Sequence, residues 1–182
     1  MTSWVNPRVT QPAQPLISQA IRSKIIAAIK TGDDAPCNTI SDGPYATLPG
    51  GLNIYVHFGP IGVHTDDAGM TYGYVIKGAE TPSDEFLLVI GDKHMAEKME
   101  PLGRMTTDSA FVIDSDHDHA VHGDDNGMLL FIVEDFGTKA QNPVQPVSLE
   151  EWLTRIPQAL TDWLHAGHPS GYHTKHNQGE DA

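Results

Sequence analysis

The sequence predicts a mainly β fold with flanking helices, a sandwich or jelly-roll barrel buttressed at its two ends. Three observations lead there. Residues 44–137 alternate short Val-, Ile-, Phe- and Tyr-rich segments with Gly, Pro and Asp turns. No helical period interrupts that block, which is the pattern of short strands joined by tight turns. Helical periodicity appears only outside it, before residue 32 and after residue 148. Such helices cover an outer face of a sheet.

Taken in order, residues 1–15 hold Pro7, Pro12 and Pro15 and read as an extended arm. In "ISQAIRSKIIAAIK", apolar residues at 17, 21, 25, 26 and 29 fall near helical spacing, giving a helix over 16–32. Ser18 or the turn before it caps this helix and Gly32 ends it. The β block offers eight segments: "YATL", "LNIYVHFG", "MTYGYVIKG", "DEFLLVIG", "AEKMEP", "SAFVIDS", "HAVHG" and "GMLLFIVEDF". A second helix covers 148–167, where Ser148 and Glu151 form a capping-box pattern and Pro157 kinks or divides the helix. Residues 168–182, with His168, His173 and His176, read as a disordered His-rich tail. The whole is expected to be one domain.

A chain of 182 residues is long enough to bury a sizeable core without staples. A disulfide within the chain is excluded, because Cys37 is its only cysteine. The longest apolar run, "MLLFIV" at 128–133, is far short of a membrane span of about 20 residues. The start of the sequence lacks a secretory pattern, so a cytoplasmic protein is expected. With 24 acidic against 11 basic residues the formal charge is −13, which repels nucleic-acid duplexes. A catalyst acting on a single base or nucleotide stays compatible with that charge.

Two stretches carry chemistry. "FGPIGVHTDDAGMTYGYVIKG" places His64 and Asp66 two apart, and "DSDHDHAVHGDDNG" places three histidines at 117, 119 and 122. In an extended segment residues two apart share a side, so His64 and Asp66 can chelate one ion. Two imidazoles and a carboxylate on one face of an octahedron form the facial triad of non-haem iron sites. The third ligand then comes from His117, His119 or His122. His119 is favoured, because it opens the apolar stretch "HAV" and lies 55 residues after His64. His122 has the opposite parity, and His117 sits among acids in a turn. Solvated turns on an acidic surface are the bland alternative.

These residues resemble the iron(II)- and 2-oxoglutarate-dependent oxygenases, whose motif is H-x-D followed some fifty to seventy residues later by a His that starts a strand. The matching residues are "HTD" at 64–66 and "HAV" at 119–121, and the similarity covers about residues 50–137. The resemblance implies a double-stranded β-helix of the cupin-like group, with Fe(II) on His64, Asp66 and His119 and 2-oxoglutarate as cosubstrate. Many members carry an Arg nine residues after the distal His; Met128 stands there. In other branches a Lys soon after H-x-D holds the far carboxylate, which makes Lys77 the expected cosubstrate ligand, with Arg104 a weaker substitute. Asp116 and Asp118 are candidates to steady the imidazoles.

The implied activity is hydroxylation of a small molecule, an amino-acid side chain, free or in a peptide, or a base. A homodimer is compatible with this reading. "GPIGVHTDDAGMTYGYVIKG" is also similar to the first motif of plain cupins, with Asp66 in place of a second His. That gives the alternative, a metal-dependent cupin enzyme or small-ligand-binding protein that does not use 2-oxoglutarate. A non-catalytic β-sandwich that binds a partner protein is the third reading.

Overall fold

The alternation of apolar residues along the strands is what layers this molecule. In a computed structural model, residues 6–30, 46–48, 52–58, 60–66, 68–78, 87–91, 98–114, 117–123, 128–139, 141–142 and 145–165 are described. They form ten strands and two helices. The strands are β1 (Arg8–Thr10), β2 (Ala46–Leu48), β3 (Leu52–Phe58), β4 (Ile61–His64), β5 (Met70–Lys77), β6 (Leu87–Ile90), β7 (Glu100–Arg104), β8 (Ala110–Asp114), β9 (His119–His122) and β10 (Leu129–Asp135). Helix α1 is Gln19–Lys30 and α2 is Leu149–His165. No helix among these residues is long and apolar enough to cross a membrane.

All strand pairing is antiparallel, in a six-stranded sheet of order β1-β8-β5-β10-β3-β2 and a four-stranded sheet of order β4-β9-β6-β7. The pairing is nested: β3 with β10, β4 with β9, β5 with β8, and β6 with β7. The mainly β core with flanking helices is as expected; among the described residues the two sheets do not close into one hydrogen-bonded barrel.

On β5, β8 and β10 the residues of one parity meet the helices: Met70, Tyr72, Tyr74 and Ile76, then Ala110 and Val112, then Leu129, Phe131 and Val133. They pack on Ile25 of α1 and on Leu149, Trp152, Ile156 and Leu160 of α2. The other parity faces the second sheet, where Val75, Phe111, Ile113, Leu130 and Ile132 meet Leu88 and Val121. Burying both faces explains why "MTYGYVIK" and "LLFIVED" contain so few exposed positions. Gly73 is required by this packing, because a Cβ there would lie 2.0 Å from the Phe111 ring. It marks no bulge; the irregular register on β5 falls opposite Leu129 and Leu130.

Several elements differ from the sequence reading. The proline-bearing arm contributes a paired strand, β1, whose Val9 packs against Gly103 of the other sheet. A separate short strand, β4, carries His64. The segment expected at 96–101 begins instead at Glu100 and runs to Arg104, and Pro101 is tolerated because β7 is an edge. Helix α2 runs unbroken through Pro157, so the helix is not divided. Ser18 Oγ accepts from Ile21 N at 3.2 Å, and Ser148 Oγ accepts from Glu151 N at 3.2 Å. The Glu151 carboxylate turns to Arg155 rather than back to the cap. Gly32, Cys37 and the tail from residue 166 lie outside the described residues.

One buried polar knot ties α1 to the long sheet. The Arg22 guanidinium donates to the Ile76 carbonyl and to Asp108 Oδ1, and the Tyr74 hydroxyl donates to the same carboxylate oxygen. Asp108 takes a left-handed backbone conformation, φ 69°, in the turn before β8. Its NH reaches the Val75 carbonyl at 2.9 Å, so the turn is pinned to the strand it serves.

Two predictions follow from this knot. Arg22→Met leaves a buried carboxylate short of its cation, and urea unfolding should show a loss of about 3 kcal/mol. Burial, then the hydrogen bond to the Asp108 carboxylate, push the Tyr74 phenol up to about 12 from its ordinary value of 10.0. A raised tyrosine favours the neutral form in the fold, so its stabilising contribution is intact below pH 10 and fades as pH climbs toward 12. Alkaline melting curves should show that fall, and Tyr74→Phe should flatten it.

Candidate metal centre

His64 and His119 sit directly opposite each other where β4 pairs with β9, with ring centroids 4.3 Å apart. Asp66 lies just beyond the end of β4, in irregular chain rather than in a strand. From that position, two residues past His64, it reaches both histidines. Its carboxylate spans the two rings: Oδ1 is 3.3 Å from His64 Nε2, and Oδ2 is 3.2 Å from His119 Nε2. One donor atom from each of the three residues falls within 4.8 Å of the others. Thr71, on β5, donates its hydroxyl to Asp66 Oδ2 at 2.8 Å.

The protons on the rings decide what this cluster can hold. His64 Nδ1 lies 2.7 Å from the Gly62 carbonyl, and His119 Nδ1 lies 2.9 Å from the His117 carbonyl. A carbonyl only accepts, so both Nδ1 atoms carry hydrogen. In the neutral ring each Nε2 then presents a lone pair, and each lone pair points at a carboxylate oxygen. Such a contact is repulsive until a cation sits between the partners. Either protons bridge them or a divalent ion does, and Nδ1–H held by a carbonyl is the usual support of a metal-bound histidine. The donor set therefore fits a metal.

The electrostatics follow. Burial would raise the Asp66 carboxyl, but hydrogen bonds from His119 and His64 and their charges outweigh it, holding it well below the carboxylate range. Burial likewise opposes charging of His64. The hydrogen bonds to Asp66 and to the Gly62 carbonyl, with the charges of Asp66 and Glu134, win and raise it above 6.5.

A cavity of about 20 Å³ opens beside the three residues, room for about one water-sized ligand. Its polar wall is His64, Asp66, Thr71, His119 and Glu134; Ile61, Leu88, Phe111, Ala120, Val121 and Ile132 form the apolar remainder. Among the described residues no lysine or arginine lines it. Thr71 and Glu134 face each other across the β5–β10 ladder. Glu134 was missed by the sequence reading. Its signal was the parity of "LLFIVED", in which Leu130, Ile132 and Glu134 share the inner face.

The structure brings His64, Asp66 and His119 together and leaves the other candidates elsewhere. Lys77 ends β5, six residues from Thr71, or roughly 20 Å at about 3.3 Å per residue, and does not line the cavity. Arg104 ends the edge strand β7, and Met128 is buried in the inter-sheet core. His122 is exposed at the end of β9. His117 lends its carbonyl to His119, while its own Nδ1 is buried with no hydrogen-bond partner among the described residues. Asp118 is buried and its carbonyl accepts from Gly91 N at 2.8 Å. Asp116 lies outside the described residues.

No protein-family model and no curated protein matches the chain. Among solved structures, it is similar to hydroxypropylphosphonic acid epoxidase from S. wedmorenis, at 18% identity and a TM-score of 0.36, over 46% of this chain and 42% of that one. It is similar to a mutant salicylate 1,2-dioxygenase from Pseudoaminobacter salicylatoxidans, at 16% identity and a TM-score of 0.36, over 50% and 22%. Protein NMB1881 from Neisseria meningitidis aligns at 14% identity and a TM-score of 0.37, over 52% of this chain and 84% of that one. The chain thus spans under half the length of the epoxidase and of the dioxygenase.

The linkage gives a pH prediction. The raised His64 stabilises the metal-free protein below pH 6.5, and that contribution is lost as pH rises through the folded value. A bound ion replaces the proton, so Co(II) affinity should strengthen as pH rises above 6.5. Calorimetric titrations across pH, with His119→Ala as the non-binding control, check this.

Proposed function

We propose that this protein is a mononuclear non-haem iron(II) oxygenase that holds its metal on His64, Asp66 and His119. The observation that carries the reading is the pair of Nδ1–H groups fixed on carbonyls, which aims two Nε2 lone pairs at one carboxylate. Two imidazoles and one carboxylate leave open positions on an octahedral ion, the donor set typical of iron oxygenases. The nested strand pairing supports a jelly-roll, or double-stranded β-helix, connectivity for the scaffold. When bound, iron(II) supplies the electrons that activate dioxygen. The chain's own part is to fix the ligands, to keep Asp66 ionised through Thr71 and the two rings, and to exclude bulk water with the apolar wall.

The lining favours the alternative in which 2-oxoglutarate is not used. That cosubstrate brings a second carboxylate needing a buried cation, and here the nearby charged wall residue is Glu134. Lys77 stands at the other end of β5.

Anaerobic Fe(II) titration tests both parts. We expect one iron per chain, lost in His119→Ala, and no visible charge-transfer band on adding 2-oxoglutarate. A band that requires both components would restore the 2-oxoglutarate reading. Iron binding unchanged in His119→Ala would overturn the site.

A further inference from the structure

Thr71 is a polar side chain in a place that favours an apolar one. It lies on β5, paired with β8 on one side and β10 on the other, and is 2% exposed. The next positions of the same parity on β5 are Gly73, against the Phe111 ring, and Val75, in the inter-sheet core. A valine has almost the same shape and would avoid burying a hydroxyl, so the hydroxyl must be explained by what it bonds. It donates to Asp66 Oδ2 at 2.8 Å. Asp66 is the one candidate ligand that lies outside a strand, two residues past the end of β4. The bond therefore lends the rigidity of a central strand to the ligand that regular structure does not hold.

The same bond makes the two carboxylate oxygens unequal. Oδ2 accepts the Thr71 hydrogen and faces His119 Nε2 at 3.2 Å, whereas Oδ1 faces His64 Nε2 at 3.3 Å. An oxygen that already accepts a hydrogen bond has less electron density to give a cation. We propose that Thr71 is the positioning residue of this centre, holding Asp66 by Oδ2 so that a metal ion takes Oδ1 alone. The inference rests on the metal reading above and adds how many positions the ion keeps for ligands. Two Nε2 atoms and one oxygen fill three of the six positions of an octahedral ion and leave three. A carboxylate chelating through both oxygens leaves only two. Three positions admit a two-atom chelate and a further small ligand together; two do not.

The test uses the full chain titrated with Co(II), with Thr71→Val removing the hydroxyl and Thr71→Ser keeping it. Calorimetry gives the metal affinity. The Co(II) absorption spectrum reports acetohydroxamate, which chelates through two oxygens, and azide, which takes one position. The wild type should bind both probes at once. Thr71→Val should bind Co(II) roughly 10- to 100-fold more weakly, and acetohydroxamate should then displace azide. Thr71→Ser should match the wild type in both respects, although it lacks the methyl group that valine keeps. A merely structural Thr71 would give the opposite order, with serine the more damaging change. Should Thr71→Val fail to fold, Thr71→Ala takes its place with the same expectations. Joint binding of the probes or wild-type metal affinity in Thr71→Val overturns the proposal, as does competition between the probes in the wild type. Absence of Co(II) binding by the wild type overturns the metal reading itself, and this proposal with it.

Discussion

The site depends on a conflict of lone pairs. Fixing both Nδ1 hydrogens on carbonyls leaves two Nε2 atoms facing the oxygens of one carboxylate, 3.3 and 3.2 Å away. The fold holds these groups in an arrangement that is costly until protons or a metal ion come between the rings and the carboxylate. The Thr71 hydroxyl adds its own hydrogen to Asp66, which reduces the charge the cation must meet without removing the need for it. Burial sharpens the conflict, since solvent around Asp66 is too limited to dilute it.

Holding that arrangement is the work of the layering. One face of the long sheet is sealed by α1 and α2, through Tyr72, Tyr74 and Trp152 among others. The opposite face meets the short sheet, and the cavity occupies a corner between them where β4, β5, β9 and β10 contribute. Nested pairing brings sequence-distant histidines into register, because β4 and β9 are partners inside a larger hairpin. Arg22 and Asp108 tie the helix layer to the turn entering β8, whose Phe111 forms part of the cavity wall.

Much of this was legible in the sequence, and the limits have physical causes. Strand alternation separates the helix-facing set, Met70, Tyr72, Tyr74 and Ile76, from the inward set of Thr71, Gly73 and Val75. Ser18 and Ser148 announce the caps because a side-chain acceptor at that position satisfies an exposed helix NH. The strand β1 was not singled out within the extended arm because three prolines mask so short a strand, whereas edge pairing needs only three residues. Pro157 suggested a break, yet the apolar face of α2 packs on both sides of it through Trp152 and Leu160, outweighing one missing backbone bond. Glu134 escaped notice because an acid at a strand end ordinarily points to solvent. Lys77 has the inward parity of Thr71, but parity fixes a side of the sheet and gives no position along it.

The short sheet also sets an order of events at the centre. His64 belongs to β4, which among the described residues is the edge of its sheet and pairs with β9 alone, in an interrupted register. Its side chain is 38% exposed, against 7% for His119 and 10% for Asp66. Local opening of an edge strand costs far less than opening the sheet interior. The three groups therefore form a hinged clasp: His119 and Asp66 are the fixed jaw and His64 the moving one. An ion held as proposed on these three residues would be captured and lost through a two-point intermediate, and its exchange rate would follow the fraying of β4 separately from the equilibrium affinity of the closed site.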